Sequence, residues 1–303
     1  MSHGHILDGI RYFFRSPSSE VIAYWPDDTY MLDTDAGKIR VKDTGGATRG
    51  STGGNKPTLV MVPDGPCVIE HFETLINELR PCFRVICFDM PGLGYSYPKL
   101  SYDFGLEKNT KVIISVLDAL KIERAILSFS CSNSFIAIAV AKNFPERVSR
   151  LVLAQTPSIH EMKNQWTKRN VPKPIQIPYI GQTINAIMSK KMASIWYDMA
   201  LPRDSQYKED FVNLSLSALH SGGCFCLASI VQGVRNVDDN ELNGIEVPTT
   251  MVWGNKDWSH KNTQFESFRE HVPHCEILEF DGCGHFPNLE QPRAFATLLR
   301  ETQ

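Results

Sequence analysis

The chain has 303 residues, 42% hydrophobic and 21% charged, with a formal net charge of −3. That length fits one large domain, or one domain carrying an insertion, and the composition is that of a water-soluble globular protein. No basic block offers a footprint for a phosphate backbone, so nucleic acid is not expected as a partner.

The start, MSHGHILDGIRYFF, has no basic head before a long apolar core, and no run of about 18 apolar residues occurs anywhere. Neither a secretory signal nor a spanning helix is predicted, and the expectation is a cytoplasmic protein without a membrane partner. The eight cysteines show no CxxC spacing and are expected to stay reduced.

TYMLDTDAGKIRVKDTGG predicts two strands joined by a turn at Asp35-Ala36-Gly37, and the small, polar stretch 45–57 predicts a loop. Buried-strand runs follow at Leu59–Val62, Val85–Phe88, Ala125–Phe129, Leu151–Leu153, Thr250–Trp253 and Glu276–Phe280. Helical periods lie between most of them, including 68–80, 105–120 and 132–143. This alternation predicts an α/β protein with a mainly parallel sheet covered on both faces by helices. It stops after Leu153. Residues 158–245 are rich in Lys, Asn, Met and Ser, and the alternation resumes at VPTTMVWGNKD. The domain expectation is a core of 1–157 and 246–303 interrupted by a helical cap, 158–245.

SFSCSNSF (128–135) stands where a strand turns sharply into a helix. Such an elbow can expose a nucleophile and aim the next backbone N–H at a developing oxyanion. Ser130 and Cys131 are both candidates. Centring on Ser130 puts small residues, Ser128 and Ser132, at the two flanking positions where bulk is unwelcome. Centring on Cys131 puts Phe129 and Asn133 there.

The stretch LDALKIERAILSFSCSNSFIAIAVAKNFPERVSRLVLAQTP (117–157) resembles the α/β-hydrolase fold superfamily. Leu120-Lys121-Ile122-Glu123 upstream and Pro145-Glu146-Arg147-Val148 downstream both set the register so that Cys131 falls at the nucleophile; Ser130 requires indels on both sides. The resemblance implies His285, in EFDGCGHFPNLEQPRAF, as the base and Asp257, in MVWGNKDWSH, as its orienting acid. His260 and Asp281 miss the motif positions. LVMVPDGPC (59–67) resembles the oxyanion loop of the proline iminopeptidase branch, implying Gly65 N–H and Ser132 N–H as oxyanion donors. In a shorter register Pro66, which has no N–H, would fall at the donor position. Asp64 and Ser130 are candidate substrate-contacting residues, Asp64 through a carboxylate that binds an amine or moves protons. VICFDMPGLGYSYP (85–98) resembles a structural turn of the same superfamily, with Asp89 satisfying backbone N–H groups.

A cysteine nucleophile implies a thioester intermediate. It can pass its acyl group to water or to another acceptor, as in thioesterase-like and cyclising enzymes of polyketide and peptide pathways. The expected activity is acyl transfer from an activated ester or thioester, on a small acyl substrate carried free, on CoA or on an acyl carrier protein. GCGHFPNLE also resembles C–C bond hydrolases, and an inactive ligand-binding homologue is a further alternative. No cofactor and no metal are expected, since neither a dinucleotide loop nor HExxH occurs. The cap aromatics, among them Trp166, Tyr179, Trp196 and Tyr197, either line an acyl pocket or form the cap's own core.

Overall fold

A computed structural model describes residues 3–45, 56–166 and 170–302; most of the loop predicted at 45–57 lies outside them. The strands are β1 (Thr29–Thr34), β2 (Gly37–Asp43), β3 (Thr58–Val62), β4 (Arg84–Phe88), the two-residue β5 (Leu93–Gly94) and β6 (Tyr97–Pro98), β7 (Ala125–Phe129), β8 (Val148–Ala154), the two-residue β9 (Cys224–Phe225), β10 (Thr249–Gly254) and β11 (Glu276–Phe280). The helices are α1 (His5–Tyr12), α2 (Ser19–Ala23), α3 (Glu73–Leu79), α4 (Leu106–Ala119), α5 (Ser132–Asn143), α6 (Ile159–Gln165), α7 (Ile180–Ala200), α8 (Lys208–His220), α9 (Leu227–Arg235), α10 (Pro287–Glu290) and α11 (Pro292–Glu301).

All six apolar runs form strands of one sheet, ordered β1-β2-β4-β3-β7-β8-β10-β11. β1, β2 and β4 pair antiparallel, and every pairing from β4 onward to β11 is parallel. Alternation along β3 explains why its sequence is apolar throughout. Val60 and Val62 face the core cluster that includes α4 and α5, while Leu59 and Met61 face the cluster that includes α3 and α11. A strand covered on both sides has no polar face to show. The turn predicted at Asp35–Gly37 is one residue shorter than expected, because Gly37 already opens β2. Its φ is +145°, and a Cβ there would lie 2.1 Å from the Tyr97 carbonyl oxygen.

Between β8 and β10 the chain leaves the sheet as α6–α9. Short β9 pairs with β5, and α1 lies against α7. No helix of the described residues is long and apolar enough to cross a membrane.

Beneath the loop after β4, Arg40 is fully buried. Its Nε lies 2.8 Å from Oδ2 of Asp89, also fully buried, and its two terminal nitrogens reach Glu70 at 2.7 and 2.9 Å. Asp89 Oδ2 also accepts the Tyr95 N–H at 3.1 Å. The turn is therefore held by a buried ion pair as well as by the backbone bond expected from the sequence. Arg40→Ala would leave the buried Asp89 carboxyl without its cation, and is expected to cost about 3–5 kcal/mol of stability. Urea denaturation of the variant beside wild type checks this, and a loss under about 1 kcal/mol would show that the pair contributes little.

Candidate active site

The sharpest backbone feature of the core is Cys131. It joins β7 to α5 with φ +53° and ψ −130°, a conformation strained for any residue with a side chain. Ser130 has no such torsion and continues the sheet through a parallel bridge to Ala154. The elbow is clamped from β8. The Cys131 N–H donates to the Ala154 carbonyl at 2.8 Å, and Thr156 Oγ1 binds Ser134 Oγ at 2.7 Å and reaches the Cys131 carbonyl at 3.3 Å. Phe129 and Asn133, the bulky departures from the superfamily pattern, are accommodated. Phe129 is buried in the core, and Asn133 Nδ2 donates to the Pro63 carbonyl at 3.1 Å, tying the elbow to the Asp64–Gly65 loop.

Two loops at the ends of β10 and β11 bring Asp257 and His285 to this elbow, and they are laced to each other. Lys256 N–H donates to the Cys283 carbonyl at 2.8 Å, and Asn255 Nδ2 to Asp281 at 3.0 Å. Asp281 is thus an exposed loop tie. The histidine loop is held further by Glu290, which accepts the N–H groups of Gly284 and Phe286 at 3.0 and 3.1 Å. The His285 N–H donates to Ala200 at the end of α7, at 2.7 Å.

His285 Nδ1 lies 2.6 Å from Asp257 Oδ2. Asp257 also accepts from Gln155 Nε2 at 2.8 Å, and from the N–H and hydroxyl of Ser259 at 2.8 and 2.6 Å. Burial alone would raise the carboxyl, but the charge and hydrogen bond of His285 outweigh it and hold Asp257 down to about 2. Gln155 and Ser259 are not found by motif reading, because their roles depend on a turn after β8 and a loop after β10 meeting in space.

Nε2 of His285 faces the site. Asp64 Oδ2 is 3.3 Å away, near enough to pair with an imidazolium but not aligned as a hydrogen bond. Burial works against the charged ring, yet the charge and hydrogen bond of Asp257, with Asp64 on the other side, hold the His285 pKa well above its ordinary value. Cys131 moves the other way in reactivity: burial first, then the Asp64 charge, push its thiol up to about 11 despite the opposing pull of His285. The resting pair is therefore a neutral thiol beside an imidazolium held between two carboxylates.

A second histidine, unclaimed by any motif, completes the cluster. The His260 ring stacks on His285 with centroids 5.3 Å apart, and burial holds its pKa down to about 3. One ligand atom each of Cys131, His260 and His285 lies within 4.8 Å of the others, the one group among the described residues able to converge on a metal ion. A soft cation such as zinc matches that donor set. It would occupy the atoms that proton transfer needs.

Above the cysteine lies a cavity of about 330 Å³. Asp64, Gly65, Cys131, Ser132 and Asn133 form its polar floor, and Trp166, Val171, Met192, Trp196, Met199 and Phe225 its apolar walls. Of the other aromatics named from the sequence, Tyr197 is buried against Phe286, whereas Tyr179 is exposed. Ser130, although buried, does not border the cavity.

A parallel sheet in this order, a positive-φ residue at the strand-to-helix elbow and a histidine-acid pair on the last two strands define an α/β hydrolase. The chain belongs to the alpha/beta hydrolase fold family, whose model matches residues 57–292. It is 26% identical over 255 residues to a 2-hydroxy-6-oxononadienedioate/2-hydroxy-6-oxononatrienedioate hydrolase of Paraburkholderia phymatum, covering 82% of this chain and 87% of that one. It is 24% identical over 257 residues to a 2-hydroxy-6-oxo-2,4-heptadienoate hydrolase of Pseudomonas putida, covering 82% and 89%. Among solved structures it is similar to epoxide hydrolase VrEH1 of Vigna radiata, with TM-score 0.73, 14% identity, and 92% and 98% coverage.

Proposed function

We propose that the protein is an acyl-transfer enzyme in which Cys131 attacks an activated ester or thioester carbonyl. The observation that carries this reading is the strained Cys131 at the floor of a largely apolar cavity, clustered with His285, whose Nδ1 is anchored on Asp257. The sulfur forms a bond to the carbonyl carbon while its proton passes to Nε2 of His285. The oxyanion is received by the N–H groups of Gly65 and Ser132. Collapse of the tetrahedral adduct breaks the bond to the leaving group, which takes the proton from His285, and leaves a thioester on Cys131. Water or another nucleophile then attacks the thioester carbonyl, giving its proton to His285; the C–S bond breaks, the acyl product leaves, and His285 returns the proton to the Cys131 sulfur. Attack needs one proton fewer than the resting site holds, because an imidazolium cannot accept the thiol proton. The active form therefore arises as pH rises, or as substrate displaces the influence of Asp64. The apolar walls suit a hydrophobic acyl group, free or carried on CoA or an acyl carrier protein.

The relatives named as hydrolases of 2-hydroxy-6-oxo acids favour a second reading, hydrolysis of a C–C bond next to a carbonyl. Intact-mass spectrometry after brief exposure to acyl thioesters and esters separates the two. An acyl mass gain that disappears in Cys131→Ala and slows in His285→Ala supports acyl transfer. A gain lost in Ser130→Ala instead moves the nucleophile by one residue. No adduct, with turnover of a dienone acid, moves the chemistry to C–C cleavage.

A further inference from the structure

Helix α1 buries Asp8, Gly9 and Tyr12 and leaves an apolar stripe outside. Its Asp8 is buried and accepts a hydrogen bond from Ser229 of α9 at 2.7 Å, while Ile6, Leu7, Ile10, Phe13 and Phe14 face solvent, Ile10 at 59% and Phe14 at 92% exposure. Arg11 binds the α1 helix to its neighbour, donating to the Ala186 carbonyl of α7 at 3.1 Å. On α7 the outward stripe continues with Ile180, Ile187 at 80% exposure, Met188 and Ile195. Single exposed apolar side chains are ordinary, but two adjacent helices presenting their apolar stripes to water together mark a docking face.

The charges on this face differ from those of the chain as a whole. On α1 and α7 the exposed cations are Arg11, Lys190 and Lys191. The one exposed carboxylate there, Asp198, is paired with Lys208. The chain's net charge is −3. Lys190 and Lys191 follow Ile187 and Met188 at helical spacing, so they border the apolar stripe. An apolar face with a basic border is the pattern of a helix lying in the headgroup region of an anionic bilayer. A second copy of the chain would bring like charges together. A soluble acidic partner would match the charge but not so large a share of exposed Ile and Phe.

We infer that α1 and α7 form a peripheral docking surface for an anionic lipid bilayer. The expectation of no membrane partner rested on the lack of a spanning segment, a length rule that does not apply to helices lying on a surface. The same helix also borders the reaction cavity: Ile195, 45% exposed, lines it beside Met192 and Trp196. A bilayer seated on α7 would thus lie against a helix that also forms a wall of the cavity above Cys131.

Co-flotation of the full chain with phosphatidylcholine vesicles, with and without about 30% phosphatidylglycerol, tests the surface. Wild type is expected to float with the anionic vesicles and to be released at high salt. Phe14→Ser/Ile187→Ser and Lys190→Glu/Lys191→Glu are each expected to weaken binding about ten-fold or more, with unchanged thermal melting and unchanged turnover of a soluble acyl thioester. All four positions are exposed and outside the cavity lining, so loss of vesicle binding is separable from loss of catalysis. Failure of wild type to bind either vesicle overturns the inference. So does binding that the variants leave intact, or a wild-type dimer by size exclusion that Ile187→Ser dissociates.

Discussion

Cys131→Ala is expected to abolish the acyl mass gain and to lower turnover of an acyl thioester by roughly 10⁴-fold or more, since a nucleophile and its base act as one unit. The fold should survive. Alanine can adopt the φ of +53° at a cost no greater than cysteine, and the Ala154 bond to the backbone N–H does not depend on the side chain. Ser130→Ala should leave the adduct nearly unchanged, because Ser130 continues the sheet and does not border the cavity. Turnover by Cys131→Ala within ten-fold of wild type would remove this residue from the chemistry.

Asp64→Asn is expected to make Cys131 more reactive near neutral pH. The Asp64 charge opposes the thiolate and favours the imidazolium, so it raises both pKa values. Removing it lowers both, and the proton that must leave before attack is lost at lower pH. A carboxylate this close commonly shifts a neighbour by about 1–3 units. A thiol that falls by one to two units gains thiolate ten-fold per unit but loses intrinsic nucleophilicity, so iodoacetamide alkylation at pH 7 should rise about 3- to 10-fold. The rising limb of the kcat/KM profile should move to lower pH by a similar one to two units. An unchanged or slower alkylation rate would show that Asp64 does not restrain the thiol, and would assign it to substrate binding.

Strand positions and the α5 boundaries were legible because each is encoded locally, and the loops carrying Asp257 and His285 because their segments resemble those of the superfamily. Buried strands in a parallel sheet need unbroken apolar runs, and the Pro145–Val148 and Leu120–Glu123 flanks fix the distance to the elbow. The elbow itself was ambiguous, because residue size argued for Ser130 and register for Cys131. The backbone puts its strain on Cys131, and the bulk of Phe129 and Asn133 is absorbed by the core and by the Pro63 carbonyl.

What the sequence determined by itself was the alternating architecture, the order of the three triad candidates and the break in alternation after β8. The architecture and the break depend on short-range periodicity, and the order of the triad candidates on the resemblance of their segments to the α/β-hydrolase superfamily. What only the tertiary structure decided was the company these residues keep. His260 stacks on His285, Gln155 and Ser259 hold Asp257, Asp64 stands 3.3 Å from the base, and Arg40 lies buried under the β4 turn. Each partner comes from a different loop or strand, so no local pattern records it. The outward apolar faces of α1 and α7 belong to the same class: periodicity shows that a helix has an apolar stripe, but only packing shows that a buried Asp8 turns that stripe to the outside.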